Sequence, residues 1–364
     1  MLELKTTTLL EEGSNVMKII VLSMGYSSYW TSCWRELYKR PGVELQVFTP
    51  ETKYSYSEDM LKGLPIGILR KKEFSNSKSV CDMVVAAKPD VIFVGGWSSV
   101  AFNAVAKDFR LKRVKKILMI DGAWKGSFKQ ILQRFRLGYL IRKYSGIIVG
   151  GERGRQYARW LGFSADKIFT SIYGYDADAY KHCYELRKDK WPKSFCYVGR
   201  YAKIKGLDSL LDAYEIYREY FGDAAWALNC YGGGPLKERM SKYKGVVDYG
   251  FLQPKDLPRA LAAEGVFVFP SLHEPWGVAL VEAAGSGLPI VCSDQVASGV
   301  ELVKPEFNGI VYPAGSVERL AMALIRMHKN YSKLSIWGDR SRVMAEAFSP
   351  KIWCDRWMEV IKCI

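Results

Sequence analysis

Short apolar runs, most of them ending in glycine, recur along the chain and limit its fold more than any other feature. The first is MKIIVLSMG (17–25), and similar runs lie at 43–50, 89–96, 115–122 and 145–151. Continuous apolar runs of this length are typical of parallel strands that are buried on both faces. Helix-length segments separate the runs, which predicts β-α-β alternation and a doubly wound parallel sheet.

The same pattern starts again in the second half of the chain. Its runs lie at 194–200, 225–234, 245–252, 265–271 and 288–294. Between the two series, at 175–190, the apolar periodicity is lost, which marks a boundary. A chain of 364 residues is too long for one compact core and long enough for two. We therefore predict an α/β fold in which two Rossmann-like domains face each other across a cleft.

The predicted domain organisation has four parts. They are an N-terminal extension (1–16), a first Rossmann-like domain (17–178), a second one (179–345) and a C-terminal helix (346–364). No apolar run approaches the roughly 18 residues that a membrane-spanning helix needs. Eight cysteines are scattered without a C-x-x-C pair, which favours buried free thiols in a reducing cytoplasm over zinc or redox sites.

Ligands of such sheets bind beyond the carboxyl ends of the strands, so the loops there form the candidate site. YVGRYAKIKG (197–206) places Arg200 and Lys205 between a strand and a helix start, and Gly199 and Gly206 bracket them. A guanidinium pairs phosphate oxygens through two parallel hydrogen bonds, lysine adds a point charge, and the helix start adds a partial positive charge. The alternative is that both cations are only solvated residues near a loop.

A second strand end, CYGGGPLKE (230–238), is also rich in glycine and includes Gly233. Three glycines permit a ligand to approach the backbone closely, or they form only a tight structural turn. Their spacing differs from G-x-G-x-x-G, so a dinucleotide-binding fingerprint is not supported.

Two glutamates, Glu274 and Glu282, lie eight positions apart in PSLHEPWGVALVEAAGSGLP (270–289). Glu274 falls at a predicted strand–helix junction, and Glu282 lies inside the helix. In helical geometry such a spacing corresponds to about 12 Å along the axis and about 80° of rotation. That separation is of the order of a diphosphate with its flanking groups.

The spacing therefore suggests that the two acids bind different parts of one ligand. We expect Glu274 to meet a sugar and Glu282 to accept hydrogen bonds from ribose hydroxyls. The diphosphate would lie between them, against the backbone amides of Trp276, Gly277 and Val278. The alternative is that Glu274 only caps the helix and Glu282 is solvated, yet a glutamate buried without partners would be costly.

Three motifs in this order, GRYAKIKG, YGGGPL and the E-x7-E helix, resemble the retaining glycosyltransferases of family four, which have the GT-B fold. The match is close from about 194 to 315, and the first half resembles the family only in pattern. The resemblance implies that 17–178 is the acceptor-side domain, that 179–345 binds a nucleotide-sugar, and that the C-terminal helix crosses back to the first domain. It also implies a hexosyltransferase that takes its sugar from a nucleoside-diphosphate sugar.

The resemblance implies roles for single residues as well. Positions that match Arg200 and Lys205 bind the nucleotide diphosphate. The position of Glu282 binds ribose, that of Glu274 lies against the donor sugar, and the loop SMGYSSYW brings Gly25 near the phosphates. Such enzymes need no metal or other cofactor, because cations and a helix start neutralise the leaving diphosphate.

One departure from the family concerns the first domain. Many members place a histidine at the end of a strand there, against the donor sugar, but no histidine precedes His182 in this sequence. The matching stretch LMIDGAW puts Asp121 at that position, where it would hydrogen-bond a sugar hydroxyl or orient the acceptor. An Asp-x-Asp at 176–178, a pattern that binds manganese in another glycosyltransferase fold, is better explained by turn residues.

Most of the net charge of +15 lies in 107–143, which holds twelve basic residues and two acidic ones. Part of this segment reads as a helix with an apolar stripe between basic residues. The stripe consists of Phe128, Ile131, Leu132, Phe135 and Tyr139. An ordinary core-facing helix is one interpretation. The concentration of charge favours a helix on an anionic membrane, so the protein would be peripheral on the inner face and would use a lipid-linked or envelope acceptor.

Two other function classes remain open. A non-enzymatic protein that binds nucleic acid would also be basic, but 107–143 holds no common nucleic-acid-binding motif, and we predict no nucleic-acid partner. A nucleotide-sugar epimerase can share the two-domain fold. The E-x7-E helix and GRYAKIKG favour sugar transfer over epimerisation.

Overall fold

The computed structural model describes residues 16–51, 58–124 and 126–364. Nearly all of the predicted extension at 1–16, and Lys125 of the basic segment, lie outside the described residues. The strands are Met17–Leu22 (β1), Val43–Pro50 (β2), Ile66–Leu69 (β3), Val91–Gly95 (β4), Lys115–Ile120 (β5), Gly146–Val149 (β6), Ile168–Thr170 (β7), Ser194–Arg200 (β8), Ala227–Gly233 (β9), Val246–Gly250 (β10), Val266–Phe269 (β11), Ile290–Ser293 (β12) and Gly309–Tyr312 (β13).

Helices cover both faces of the sheets that these strands form. The helices are Ser28–Tyr38 (α1), Lys71–Ser75 (α2), Ser77–Ala86 (α3), Val100–Lys107 (α4), Phe128–Ile141 (α5), Glu152–Leu161 (α6), Ala177–Tyr180 (α7), Leu207–Phe221 (α8), Lys237–Met240 (α9), Leu257–Ala262 (α10), Val278–Gly285 (α11), Ala297–Leu302 (α12), Val317–Lys329 (α13), Leu334–Ala345 (α14) and Pro350–Cys363 (α15).

The strands form two separate parallel sheets, which confirms the predicted α/β fold of two Rossmann-like units. The first sheet has the order β3-β2-β1-β4-β5-β6-β7, and the second has the order β10-β9-β8-β11-β12-β13. All ten predicted strands are present. The three strands that the sequence did not predict, β3, β7 and β13, each lie at the edge of a sheet.

The C-terminal helix α15 packs against the first sheet although it follows the second one in the chain. Trp353 and Trp357 are fully buried, and the ring of Trp357 stacks on Phe93 of β4 with 4.1 Å between ring centroids. Their indole N–H groups donate to the carbonyl oxygens of Ile172 and Ser171 at 3.2 and 3.1 Å. The predicted return of this helix to the first domain is therefore confirmed.

Residues 171–193, which we call the connector, join β7 to β8 and lie against the second domain. The ring of Tyr175 fills the space beside Gly285 of α11, where an added Cβ would be 2.2 Å from the ring. The buried guanidinium of Arg187 donates to the carbonyl oxygen of Leu261 at 2.5 Å and to that of Ser286. These contacts attach the connector to α10 and α11, while the domain boundary at 178/179 stays a prediction.

Candidate active site

A cavity of about 820 Å³ opens at the carboxyl ends of β1, β4 and β5 in the first sheet. Its walls include Gly25, which follows β1, and Asp121, which follows β5. Tyr173 of the connector and Trp97 add aromatic walls. The first-domain residues singled out in the sequence are thus brought together, as parallel strands with a common carboxyl edge require.

The polar groups of this cavity are arranged around Asp121. Its exposed carboxylate accepts a hydrogen bond from the phenol of Tyr173 at 3.3 Å. Burial, and then the charge of Asp121, raise the pKa of Tyr173 well above its ordinary value, so the phenol is a donor at neutral pH. In the same cavity, an added Cβ at Gly25 would meet nothing within 4 Å, which leaves this loop open to a ligand.

In the second sheet, the candidate cation Arg200 is the last residue of β8, and Lys205 lies in the tight turn at Lys203–Lys205 that follows. Gly206 ends this turn with φ +72°, and an added Cβ would lie 1.9 Å from the carbonyl oxygen of Pro270. Only glycine fits there, so the turn is held against the chain that follows β11. The guanidinium of Arg200 is exposed and makes no hydrogen bond or ion pair with any described residue.

Lys205 and Glu274 form an ion pair, with 2.5 Å between the Lys205 Nζ and the Glu274 Oε2. The Ser271 hydroxyl donates to the same oxygen at 3.3 Å. Glu274 is 8% exposed and does not cap α11, so the capping alternative is wrong. The pair forms because β8 and β11 are neighbours in the sheet and their carboxyl ends meet.

The glycines at the end of β9 complete this edge of the sheet. An added Cβ at Gly232 would be 1.9 Å from the carbonyl oxygen of Gly199, so β8 and β9 approach closely here. Gly233 has nothing within 4 Å of an added Cβ and lies beside the exposed Arg200 in the sheet register. The glycine run therefore has a structural role at Gly232 and leaves open space at Gly233.

The helix α11 begins at this edge with a bare N-terminus. Gly277 precedes it with φ +98°, and no side chain caps its first turn. Gly277 and Val278 are half-buried, whereas Trp276 is 2% exposed. The Trp276 ring packs against the first domain, where an added Cβ at Gly150 would lie 2.8 Å from it. The start of α11 thus supplies backbone N–H groups, and the Trp276 side chain is a contact between the domains.

Glu282 has a different environment from Glu274. Its residue is 8% exposed, so the solvated alternative is wrong. The carboxyl hydrogen-bonds the phenol of Tyr180 in the connector, and burial raises the pKa of Glu282 to about 8. The sequence analysis did not single out Tyr180 or Tyr173. They are the first and last residues of YGYDADAY (173–180), and the run of tyrosines beside the predicted domain boundary was the signal that could have found them.

The basic helix α5 turns its apolar stripe outwards. Phe128 is 73% exposed and Phe135 77%, while the buried residues of the helix are Leu140 and Ile141. The interpretation of this stripe as the buried face of an ordinary core-facing helix is therefore wrong. Among the described residues, no helix is both long and apolar enough to cross a membrane.

The charge count of 107–143 overstates the surface charge of the segment. Lys116 is 3% exposed, and its ammonium donates to the carbonyl oxygen of Leu111 at 2.5 Å. Arg110 is paired with Asp108 and Asp82, both at 2.7 Å. A charge count from the sequence treats both cations as free surface charges, because it does not show which side chains are buried or paired in the folded protein.

Comparisons with known proteins find sequence similarity for the second half of the chain and similarity of fold for nearly all of it. The family described as glycosyl transferases group 1 matches residues 183–344. O-antigen chain mannosyltransferase B of Escherichia coli is 27% identical over 174 residues, which are 44% of this chain and 43% of that protein. Phosphatidyl-myo-inositol mannosyltransferase of Mycobacterium leprae is 32% identical over 144 residues, 38% of this chain and of that protein.

These alignments span less than half the length of the curated relatives. A solved structure extends the likeness to both domains: HepE of Anabaena, in complex with UDP, superposes with a TM-score of 0.75. It is 18% identical and covers 96% of this chain and 100% of that chain. At this identity the superposition shows the shared fold.

Proposed function

We propose that this chain, whose residues 183–344 belong to the group 1 glycosyl transferases and whose two sheets form a GT-B fold, is a retaining hexosyltransferase. It moves the hexose of a nucleoside-diphosphate sugar to a glycan or lipid-linked acceptor. One observation carries the proposal: Lys205 and Glu274 meet at 2.5 Å beside the exposed Arg200. Two cations and one acid in this arrangement suit a diphosphate that is joined to a sugar.

The chemistry assigned to this site is stabilisation of the leaving diphosphate. The bond between the anomeric carbon and the diphosphate oxygen breaks, and a bond from the acceptor oxygen forms on the same face of the sugar. The acceptor proton passes to the leaving oxygen. Arg200, Lys205 and the N-terminus of α11 oppose the charge that develops there, so the proposal requires no metal ion or other cofactor.

The first-domain cavity is the proposed acceptor side. Its aromatic walls at Trp97 and Tyr173 offer flat apolar faces to sugar rings, and Asp121 offers a carboxylate to their hydroxyl groups. The bond from Tyr173 leaves the second oxygen of Asp121 for such a hydroxyl. We assign to Asp121 the orientation of a sugar hydroxyl at the reacting centre.

The exposed face of α5 supports a membrane-bound acceptor. Phe128, Leu132, Phe135 and Tyr139 are all exposed on one stripe. Lys129, Arg136 and Lys143 are spaced seven residues apart and lie beside it. Aromatic residues with basic neighbours bind the boundary of an anionic bilayer. The proposed location is therefore cytoplasmic, peripheral on the inner face of the membrane.

Vesicle flotation tests the membrane part of the proposal. The wild type should float with vesicles that contain phosphatidylglycerol and should remain unbound with pure phosphatidylcholine. Phe135→Ala should weaken binding by about 10- to 100-fold, since a buried aromatic side chain contributes about 1.5–3 kcal/mol. Met322→Ala is the matched control, because Met322 is 58% exposed on α13 in the second domain. Equal binding of both variants would exclude α5 as the membrane contact.

A panel of nucleotide sugars tests the catalytic part. One nucleoside diphosphate and its sugar should raise the melting temperature selectively, because a ligand stabilises the state that it binds. That sugar should then be transferred when membrane lipids or glycans are supplied. Conversion of the nucleotide sugar to its epimer without an acceptor would support the epimerase alternative instead. Absence of binding by every member of the panel would refute the proposed function.

A further inference from the structure

The helix α6 of the first domain is capped by a residue of the second domain. Gly151 precedes this helix and has no side chain that could cap it. The backbone N–H of Glu152 instead donates to the Oε1 of Glu301, in α12, at 2.9 Å. The guanidinium of Arg153 donates to the carbonyl oxygen of Asp294. Two consecutive residues at the start of α6 therefore bond to the second domain.

Two glycines before α6 make room for this contact. An added Cβ at Gly150 would lie 2.8 Å from the ring of Trp276, and one at Gly151 would lie 3.0 Å from the same ring. The added Cβ at Gly151 would also lie 2.6 Å from the Oε1 of Glu301. The φ of Gly151 is −175°, which any residue can adopt, so glycine is needed here for the close approach of the two domains.

The first residues of α12 hold the backbone that leads into α11. Ala297 donates its N–H to the carbonyl oxygen of Glu274 at 3.2 Å. Ser298 donates its N–H to the carbonyl oxygen of Trp276 at 3.0 Å and its hydroxyl to that of Gly277 at 3.2 Å. The start of α12 therefore fixes the carbonyl groups of three residues in the candidate active site.

The helix α12 thus has contacts with the first domain and with the candidate active site at the same time. Glu301 lies three residues after Ser298 in this helix. Most residues of α12 are buried, and Glu301 is half-buried. A helix is held together by its own backbone hydrogen bonds and moves as one body. A shift of α6 relative to the second domain would therefore displace the backbone that precedes α11.

We propose that Glu301 is a positioning residue through which the first domain holds the donor site in place: Glu301 binds the start of α6, and α12 in turn fixes the backbone of residues 274–277. The inference rests on the proposed function, because that backbone is the part assigned to the diphosphate and its sugar. A nucleotide sugar should bind more weakly when the contact between α6 and α12 is lost. By thermodynamic reciprocity, a bound nucleotide sugar should strengthen the contact between the domains.

Small-angle X-ray scattering of the full chain tests the contact between the domains. UDP-glucose, GDP-mannose and ADP-glucose serve as probes. With the probe that binds, the wild type should scatter as expected for the structure in which α6 meets α12. Gly151→Phe places a ring where Trp276 and Glu301 lie, so this variant should be more extended than the wild type under the same conditions.

Isothermal titration with the same probes separates a positioning role from a structural one. Glu301→Ala should weaken binding by about 2- to 30-fold, which is the effect of a lost helix cap expressed as a change in affinity. Glu301→Gln should recover most of this loss, because its amide oxygen can still accept from Glu152. Asn76→Ala is the matched control, since Asn76 caps α3 within the first domain by accepting from the N–H of Ser79 at 3.2 Å. It should lower the melting temperature and keep the affinity of the wild type.

The possible outcomes distinguish this inference from the proposed function. Equal affinity of Glu301→Ala and the wild type, or equal scattering of Gly151→Phe and the wild type with the probe bound, would overturn the positioning role and leave the proposed function standing. An equal loss of affinity in Asn76→Ala would also overturn it, because any lost helix cap would then have the same effect. Binding of no probe by the wild type would refute the proposed function and the inference with it.

Discussion

Lys205→Met removes the cation that pairs with Glu274, and its effects on stability and on turnover are expected to differ. Breaking a fully buried ion pair costs about 3–5 kcal/mol, because one charge is left without its partner. Here the lysine side chain is 24% exposed and the glutamate side chain 10%. Water reaches the lysine end, so we expect a loss of about 1–3 kcal/mol in the free energy of unfolding.

The double variant Lys205→Met/Glu274→Gln isolates the pair. Without either charge, no carboxylate remains unpaired, so the double variant should recover to within about 1 kcal/mol of the wild type in urea unfolding. Turnover should not recover, because the charge opposite the leaving diphosphate is still missing. We expect kcat to fall by about 10²–10³ in both variants.

A surface pair provides the control for this cycle. Lys188 and Glu185 also approach closely, at 2.6 Å, but their side chains are 46% and 56% exposed. Lys188→Met should therefore change stability by less than about 1 kcal/mol and leave turnover intact. The reasoning is refuted if the stability losses of Lys205→Met and Glu274→Gln simply add, or if Lys205→Met keeps wild-type turnover.

Four further outcomes are expected. Arg200→Ala should lower kcat by about 10²-fold, while Lys203→Ala, three residues further along the chain, should change steady-state rates little. Gly206→Ala should reduce donor affinity and the melting temperature together, because the new Cβ would meet the carbonyl oxygen of Pro270 at 1.9 Å. Trp357→Ala should cost about 3–5 kcal/mol in urea unfolding, as a fully buried indole is lost. Excess EDTA should leave the transfer rate unchanged, and loss of activity that Mn²⁺ restores would contradict the assignment of charge stabilisation to Arg200.

The central strands could be predicted from the sequence because burial on both faces makes them continuous apolar runs. Three of the four edge strands, β3, β7 and β13, could not. β7 is only three residues long, and β3 is half-exposed over most of its length, so neither gives a pattern that differs from a loop. Their positions depend on neighbouring strands, which a local pattern does not contain.

Prediction of the candidate site from the sequence is limited in the same way, because local patterns do not contain contacts between distant residues. Local motifs were enough to single out Lys205, Glu274 and Glu282, because each stands at a strand end or in a recognisable helix. The pairing of Lys205 with Glu274 joins residues 69 positions apart, and it follows from sheet order. The contact of Tyr180 with Glu282 depends on the return of the connector to α11. Helical periodicity likewise identified the stripe of α5 but not the direction in which it faces.

The position of α15 has a consequence for synthesis. The wall of the first domain that holds Trp30 and Phe93 is covered by Trp353 and Trp357, which are made only after the whole second domain. While the ribosome is still translating, that aromatic wall faces water and is open to unwanted association. The first domain is therefore finished only after the second has been made, and nascent chains of this protein should need chaperone cover until α15 has emerged.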